Sequence, residues 1–263
     1  MSTIQCEFIQ EEQLFDCVYT AEVKLINGTF PHKAGIINTS QIKNGAEHLQ
    51  LRCCYLEIDK GKNLYRLFYQ VTTDSIKKCE RSMQAESFDQ SLSRLQAPTN
   101  KVLFLIDEST LFESLAIIYY LELINIETHI YIDLNLQEEG TKKFLQKRFP
   151  NSVGIASSFS EDNIFPILDQ QLIGSKLYIS GLWPMISDIK KIAYTAGFTD
   201  EEILINGIGE KNEKVFCVKC YQLNHKQLDS ELEFTCKYCN STLDVSNHYS
   251  KRLEAYLGYI KVV

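Results

Sequence analysis

Two rhythms of apolar residues divide the chain. Residues 14–26 (LFDCVYTAEVKLI) are rich in β-branched and aromatic side chains, and residues 49–58 and 64–71 repeat that texture. Such runs predict strands. The last two are joined by Asp59-Lys60-Gly61-Lys62-Asn63, a hairpin signal in which Gly61 can take a positive φ. Residues 75–95 are polar with sparse apolar positions and stop before Pro98, the pattern of a surface helix leading into a linker. Residues 1–98 therefore read as a β-rich N-terminal domain.

From residue 101 the rhythm changes. KVLFLI, at 101–106, is a short continuous apolar run, as expected of a strand buried on both faces. A long amphipathic segment, 110–126, follows. Next come a strand at 128–132, a helix at 138–149 closed by Pro150, and a strand at 153–156. A helix at 161–172 places Pro166 near its first turn. A strand at 176–180, a helix at 185–196 with Gly197 as its cap, and a strand at 202–207 complete the segment. Strands alternating with helices predict a parallel sheet covered on both faces, a doubly wound α/β domain over 99–210. In such sheets ligands sit beyond the carboxyl ends of the strands, where the strand order reverses.

The stretch 177–210 resembles the C-terminal part of the nicotinamide-binding domain in ferredoxin–NADP reductase-like proteins. Ser180-Gly181 stands where those proteins carry a Cys-Gly turn, Pro184 and Met185 follow, and Ala196-Gly197 precedes the last strand. The chain departs from that pattern after its first strand. Reductases place a glycine-rich loop there, so that the backbone can approach a pyrophosphate. Here Asp107-Glu108-Ser109-Thr110 contains no glycine and has two adjacent carboxylates, which oppose a pyrophosphate. Asp107, Glu108 and Ser109 suit instead the N-cap and first turn of the next helix. Neither flavin nor NAD(P)H is expected as a cofactor. Asp107 with Asp133 could pair at the strand ends to hold Mg2+ or act as acid and base. No phosphate loop or nucleophile completes such a site, and no catalytic residue is expected.

Four cysteines near the C-terminus carry the strongest chemistry. Cys217 and Cys220 form one C-x-x-C pair, Cys236 and Cys239 another, with fifteen residues between the pairs. Each spacing lets one tight turn aim two sulfurs at a point, and two such turns make a tetrahedral four-sulfur site suited to structural zinc. Iron in a rubredoxin-like site is the alternative, since soft thiolates suit either metal; a disulfide pair is the remaining reading. Phe216, Phe234, Leu243 and Val245 alternate around the turns as in a small sheet, so residues 211–263 read as a zinc ribbon. So small a module needs the metal to fold.

Charge and composition narrow the partners. The net charge is −7, yet the segment from Lys211 onward holds eight basic and six acidic residues. Four thiolates on a divalent metal bring it near neutrality. A nucleic-acid-binding ribbon presents a basic face, so nucleic acid is not an expected partner. No segment approaches eighteen uninterrupted apolar residues, which argues against a membrane span. The acidic N-terminus has no basic n-region and predicts no signal peptide. Cys6, Cys17, Cys53, Cys54 and Cys79 show no framework spacing and read as free thiols of a cytoplasmic protein. His32, His48 and His225 read as loop residues.

After the ribbon comes NHYSKRLEAYLGY, at 247–259. This phrase behind a four-cysteine module resembles the C-terminal signature of the DmmA-like family of dimethylamine monooxygenase subunits, which carries His-Tyr-Ser, a basic pair, then Ala-Tyr-(Met or Leu)-Gly. The resemblance implies a non-catalytic accessory component of a multi-subunit oxygenase, assisting assembly or electron transfer. The implied partners are haem-dependent demethylase-like and flavin/iron–sulfur reductase subunits. A rubredoxin-like electron carrier or an NAD(P)H-dependent reductase subunit is the alternative. His248, Tyr249, Lys251, Arg252 and Tyr256 group aromatic and cationic side chains of the kind that carry interface energy, and they form the expected docking tail. The spacing of Tyr249, Leu253 and Tyr256 also suits one helix face packed on the rest of the chain.

Overall fold

A two-residue turn splits the first apolar run. In a computed structural model, which describes residues 2–30, 32–44, 47–70, 81–85, 99–134, 139–156, 158–209, 213–225, 233–250 and 252–261, strand β1 (Ser2–Phe15) turns at Asp16-Cys17 into β2 (Val18–Asn27), with Phe15 paired to Val18. Asp16 takes φ +42°, a left-handed conformation that a short polar side chain tolerates. The continuous texture of residues 14–26 had concealed this turn. Strands β3 (Ala34–Asn44), β4 (Glu47–Asp59) and β5 (Leu64–Gln70) follow. Between β4 and β5 the Asp59 carboxylate accepts from the N–H groups of Gly61 and Lys62 at 3.0 and 3.2 Å. The positive φ of this turn, +53°, falls on Asn63 and not on Gly61.

Of the segment expected as a surface helix, residues 81–85 form strand β6 (Arg81–Ala85), antiparallel to β1. β1 offers an edge on its side away from β2, and a chain passing there satisfies its backbone by pairing. The rest of that segment, with Cys79, lies outside the described residues. The six strands run in the order β3-β4-β5-β2-β1-β6. The sheet curls until its two end strands, β3 and β6, lie against each other.

The second sheet is parallel, in the order β11-β10-β7-β8-β9. Its strands are β7 (Lys101–Asp107), β8 (Glu127–Asp133), β9 (Val153–Ala156), β10 (Ser175–Leu182) and β11 (Ile203–Ile208). The helices are α1 (Leu111–Leu123), α2 (Glu139–Arg148), α3 (Glu161–Asp169) and α4 (Trp183–Thr195). Helix α3 ends three residues earlier than its apolar pattern predicts, and Pro166 sits in its interior rather than its first turn. The continuous run of β7 has the predicted meaning. Val102, Phe104 and Ile106 face one apolar cluster, and Leu103 and Leu105 face another.

Helix α1 departs from its expected amphipathic pattern, for every residue from Leu111 to Leu121 is buried. One side packs on the parallel sheet and the other on the curled sheet. Its Phe112, Leu115 and Tyr119 share a single core with Cys54, Leu56 and Phe68 of β4 and β5 and with Phe104 and Ile132. A helix covered on all sides is apolar all round. Both sheets accordingly fall within one unit, Met1–Ile208, and Gly209–Val263 forms a second.

The second unit is a five-stranded sheet in the order β13-β12-β16-β15-β14. It comprises β12 (Lys214–Cys217), β13 (Leu223–His225), β14 (Glu233–Thr235), β15 (Thr242–Ser250) and β16 (Ala255–Ile260). Only β12 and β16 pair in parallel among its described strands. The architecture is thus mixed α/β: a β-rich N-terminal part, a parallel-sheet middle and a small C-terminal cysteine-bearing sheet.

Candidate metal centre and the strand-end crevice

The two C-x-x-C turns are built alike. Tyr221 N–H donates to the Cys217 carbonyl at 2.8 Å, and Cys217 N–H donates to the Gln222 carbonyl at 3.0 Å. In the second turn Asn240 N–H donates to the Cys236 carbonyl at 2.9 Å, and Cys236 N–H to the Ser241 carbonyl at 2.9 Å. Tyr221 and Asn240, each next after the second cysteine of its turn, have φ of +60° and +53°. This shared backbone geometry aims all four sulfurs inward, within 4.8 Å of one another. Cys217 Sγ lies 3.7 Å from Cys239 Sγ, and Cys220 Sγ lies 3.5 Å from Cys236 Sγ. A tetrahedron with metal–sulfur bonds of about 2.3 Å has edges of about 3.8 Å, close to these separations. They are far longer than an S–S bond, and all four cysteines are free thiols. The disulfide reading is therefore set aside.

The surroundings favour thiolates in the second turn. Burial raises the Cys236 thiol, but hydrogen bonds from the backbone N–H groups of Cys239 and Tyr238 and from the Cys220 and Asn224 side chains together bring the group down to about 6. Hydrogen bonds from Ser241 lower Cys239. Burial pushes Cys220 up to about 12, with the neighbouring thiols adding to the shift. Asn224 carries no signal in the sequence. It is buried on β13, its Oδ1 accepts from Lys237 N–H at 2.9 Å, and its Nδ2 lies 3.5 Å from Cys236 Sγ. This amide ties the second turn to the strand opposite and helps orient its sulfur. Nothing in the run Gln222–Leu223–Asn224 marks it, since a polar residue between cysteine pairs resembles an ordinary loop residue. His225 is exposed on β13 and His248 is exposed on β15.

The C-terminal phrase forms a hairpin, not a helix. Tyr249 on β15 is the cross-strand partner of Tyr256 on β16, and their rings meet edge to face with centroids 5.2 Å apart. Alternation along two strands, with Glu254 at φ +47° in the turn, replaces the helical spacing of Tyr249, Leu253 and Tyr256. Tyr256 donates to Glu213 at 3.4 Å, whereas Tyr249 is 43% exposed and Arg252 is exposed. Lys251 lies outside the described residues.

At the carboxyl ends of the parallel strands, Asp107 and Asp133 are register partners on β7 and β8. Asp107 Oδ1 accepts from Ser109 N–H at 2.8 Å, so it caps the 3-10 turn Glu108–Thr110 that leads into α1, as its position suggested. Burial, and next the charge of Asp107, raise the Asp133 carboxyl above its ordinary value. A separate cleft of about 600 Å3 lies between β1, β2 and helix α2, lined in part by Phe15, Arg66, Tyr119, Lys143, Phe144 and Arg148. Three of its cations pair within the chain. Arg66 pairs with Glu22 at 2.7 Å, Lys143 with Glu139 at 3.0 Å and Arg148 with Glu122 at 2.6 Å, and the Arg148 guanidinium lies 4.5 Å over the Tyr119 ring.

Residues 214–259 match the model of the dimethylamine monooxygenase subunit DmmA-like C-terminal domain. The heme-dependent oxidative N-demethylase delta subunit of Ectopseudomonas mendocina (strain ymp) is 33% identical over 86 residues, covering 33% of this chain and 48% of that protein. The match thus spans about half the length of that curated relative. Over most of its length the chain has the fold of ferredoxin–NADP reductase-like proteins. Phthalate dioxygenase reductase superimposes with a TM-score of 0.53 at 11% identity, covering 85% of this chain and 76% of that one. The ferredoxin NADP+ reductase of Neisseria gonorrhoeae gives 0.52 at 11% identity, covering 79% and 99%. The flavohemoglobin of Malassezia yamatoensis gives 0.52 at 12%, covering 80% and 61%.

Proposed function

We propose that this chain is a non-catalytic accessory subunit of a multi-subunit oxidative demethylase or related oxygenase, with one zinc ion held by Cys217, Cys220, Cys236 and Cys239. The observation that carries this reading is the four-sulfur cluster, set in the segment that matches the DmmA-like domain. A relative of this chain, 33% identical over 86 residues, is itself a subunit of a heme-dependent oxidative N-demethylase. Four sulfurs complete the coordination of zinc, which leaves no open position for substrate or an activated water. The zinc then fixes the shape of the C-terminal sheet, and the sheet presents a surface to other subunits in the cytoplasm.

His248, Tyr249, Lys251, Arg252 and Tyr256 form the docking surface in this proposal. Tyr249, Arg252 and Tyr256 are of the type that dominates interface energetics, and of these Tyr249 and Arg252 are exposed. Deleting residues 211–263 is expected to abolish co-purification with a co-expressed haem-bearing subunit. The double variant Tyr249→Ala/Arg252→Ala should weaken the association by about 2 kcal/mol or more. A truncated chain that folds, by its circular dichroism, and still co-purifies would refute the docking role.

A further inference from the structure

We propose that the α/β domain has filled its own nucleotide crevice with the side chains of Met185, Trp183 and Asp107, and binds neither NADH nor NADPH. The strand order reverses between β7 and β10, and this is where an open parallel sheet admits its ligand. Two glycines form the floor there. Gly181 on β10 and Gly207 on β11 are register partners on adjacent strands. Glycine inside a strand marks a place where something approaches the backbone closely. In this chain the approach is made from within. A methyl group at Gly181 would lie 2.5 Å from Met185 Cε and 2.7 Å from Asp107 Cβ. A methyl group at Gly207 would lie 2.5 Å from two atoms of the Trp183 indole. Half-buried Trp183 and Met185 thus lie directly on the two glycines, and a nicotinamide ring stacking there would have to displace them.

The helix that borders the crevice also offers a pyrophosphate one N–H donor fewer than usual. Anions bind at helix N-termini through free N–H groups. Helix α4 starts Trp183-Pro184, and the proline removes one of those donors. Across the crevice Asp107 places a carboxylate and spends it on its own helical turn. The inference stands apart from the metal centre, whose sulfurs lie in the other unit.

Trp183 is the only tryptophan in the chain, so its fluorescence reports on this crevice alone. Reduced nicotinamide absorbs where tryptophan emits, and a bound molecule would quench it by energy transfer. Titrating the full-length native protein with NADPH, and separately with NADH, is expected to give only the linear inner-filter loss that free tryptophan shows. Saturable quenching by either nucleotide would overturn the proposal. The variant Gly207→Ala is expected to displace the indole, shifting its emission to longer wavelength and lowering the melting temperature. A folded variant with unchanged Trp183 emission would show that the indole is not seated on Gly207, and would overturn the proposal as well. Neither readout depends on the metal or on any partner subunit, so failure here is distinct from failure of the accessory-subunit reading.

Discussion

Removing the proposed metal from the four cysteines is expected to unfold the C-terminal unit and leave residues 1–208 folded. The core of the C-terminal unit explains the size of the effect. Its fully buried apolar cluster is Val215, Cys217, Cys236 and Leu243, so two of its four members are cysteines of the proposed metal site. Phe234 and Val245 only partly cover it. A module of this size buries too little apolar surface to offset its chain entropy. Zinc bound to four thiolates supplies roughly 10–16 kcal/mol near neutral pH, and in the absence of a preformed site that binding energy is folding energy. A strong chelator, or Cys236→Ser, is therefore expected to expose the amides of strands β12 to β16 to rapid hydrogen exchange. The cores of the larger unit contain no residue beyond Ile205, and their amides should stay protected. Persistent protection of β15 and β16 after complete metal removal would contradict the account.

The second large effect lies in the layer shared by the two sheets of the larger unit. Leu115→Ala is expected to cost about 3 kcal/mol, within the range for deleting a fully buried leucine. Leu115 is completely buried on α1, in a cluster that reaches β4 and β5 on one side and β7 and β8 on the other. Because one core serves both sheets, the curled sheet and the parallel sheet should lose stability together, in a single cooperative transition at a lower temperature. Hydrogen exchange resolved by strand distinguishes the outcomes. Equal loss of protection in β5 and β7 agrees with a shared core. Loss confined to the parallel sheet would mean that the curled sheet stands alone.

The parts of this fold that were readable in the sequence are those written by local rules. β7 is a continuous apolar run because both of its faces are covered. The cysteine turns follow from spacing alone, since a C-x-x-C turn has few ways to aim two sulfurs at one point. What escaped the sequence depends on partners distant in the chain. Helix α1 was expected to have a polar face, and only the curled sheet packed on its far side explains why that face is apolar. The Asp16-Cys17 turn sits inside an unbroken β-like run, because aspartate takes the left-handed conformation without the glycine that would have announced it. Tyr249 and Tyr256 satisfy helical spacing and cross-strand pairing equally well, and the pairing of β16 with β12 decides for the strand. The roles of Trp183, Met185 and Asn224 arise from close approaches that no local pattern encodes.

The central claim is that Cys217, Cys220, Cys236 and Cys239 hold one structural zinc ion. Elemental analysis of the freshly purified chain, together with its visible spectrum, tests it most directly. The account predicts one zinc per chain and a colourless solution. One iron per chain with strong visible absorption would contradict it and make the ribbon a redox centre. A folded chain without metal would contradict it too, and would leave the four converging sulfurs without their proposed purpose.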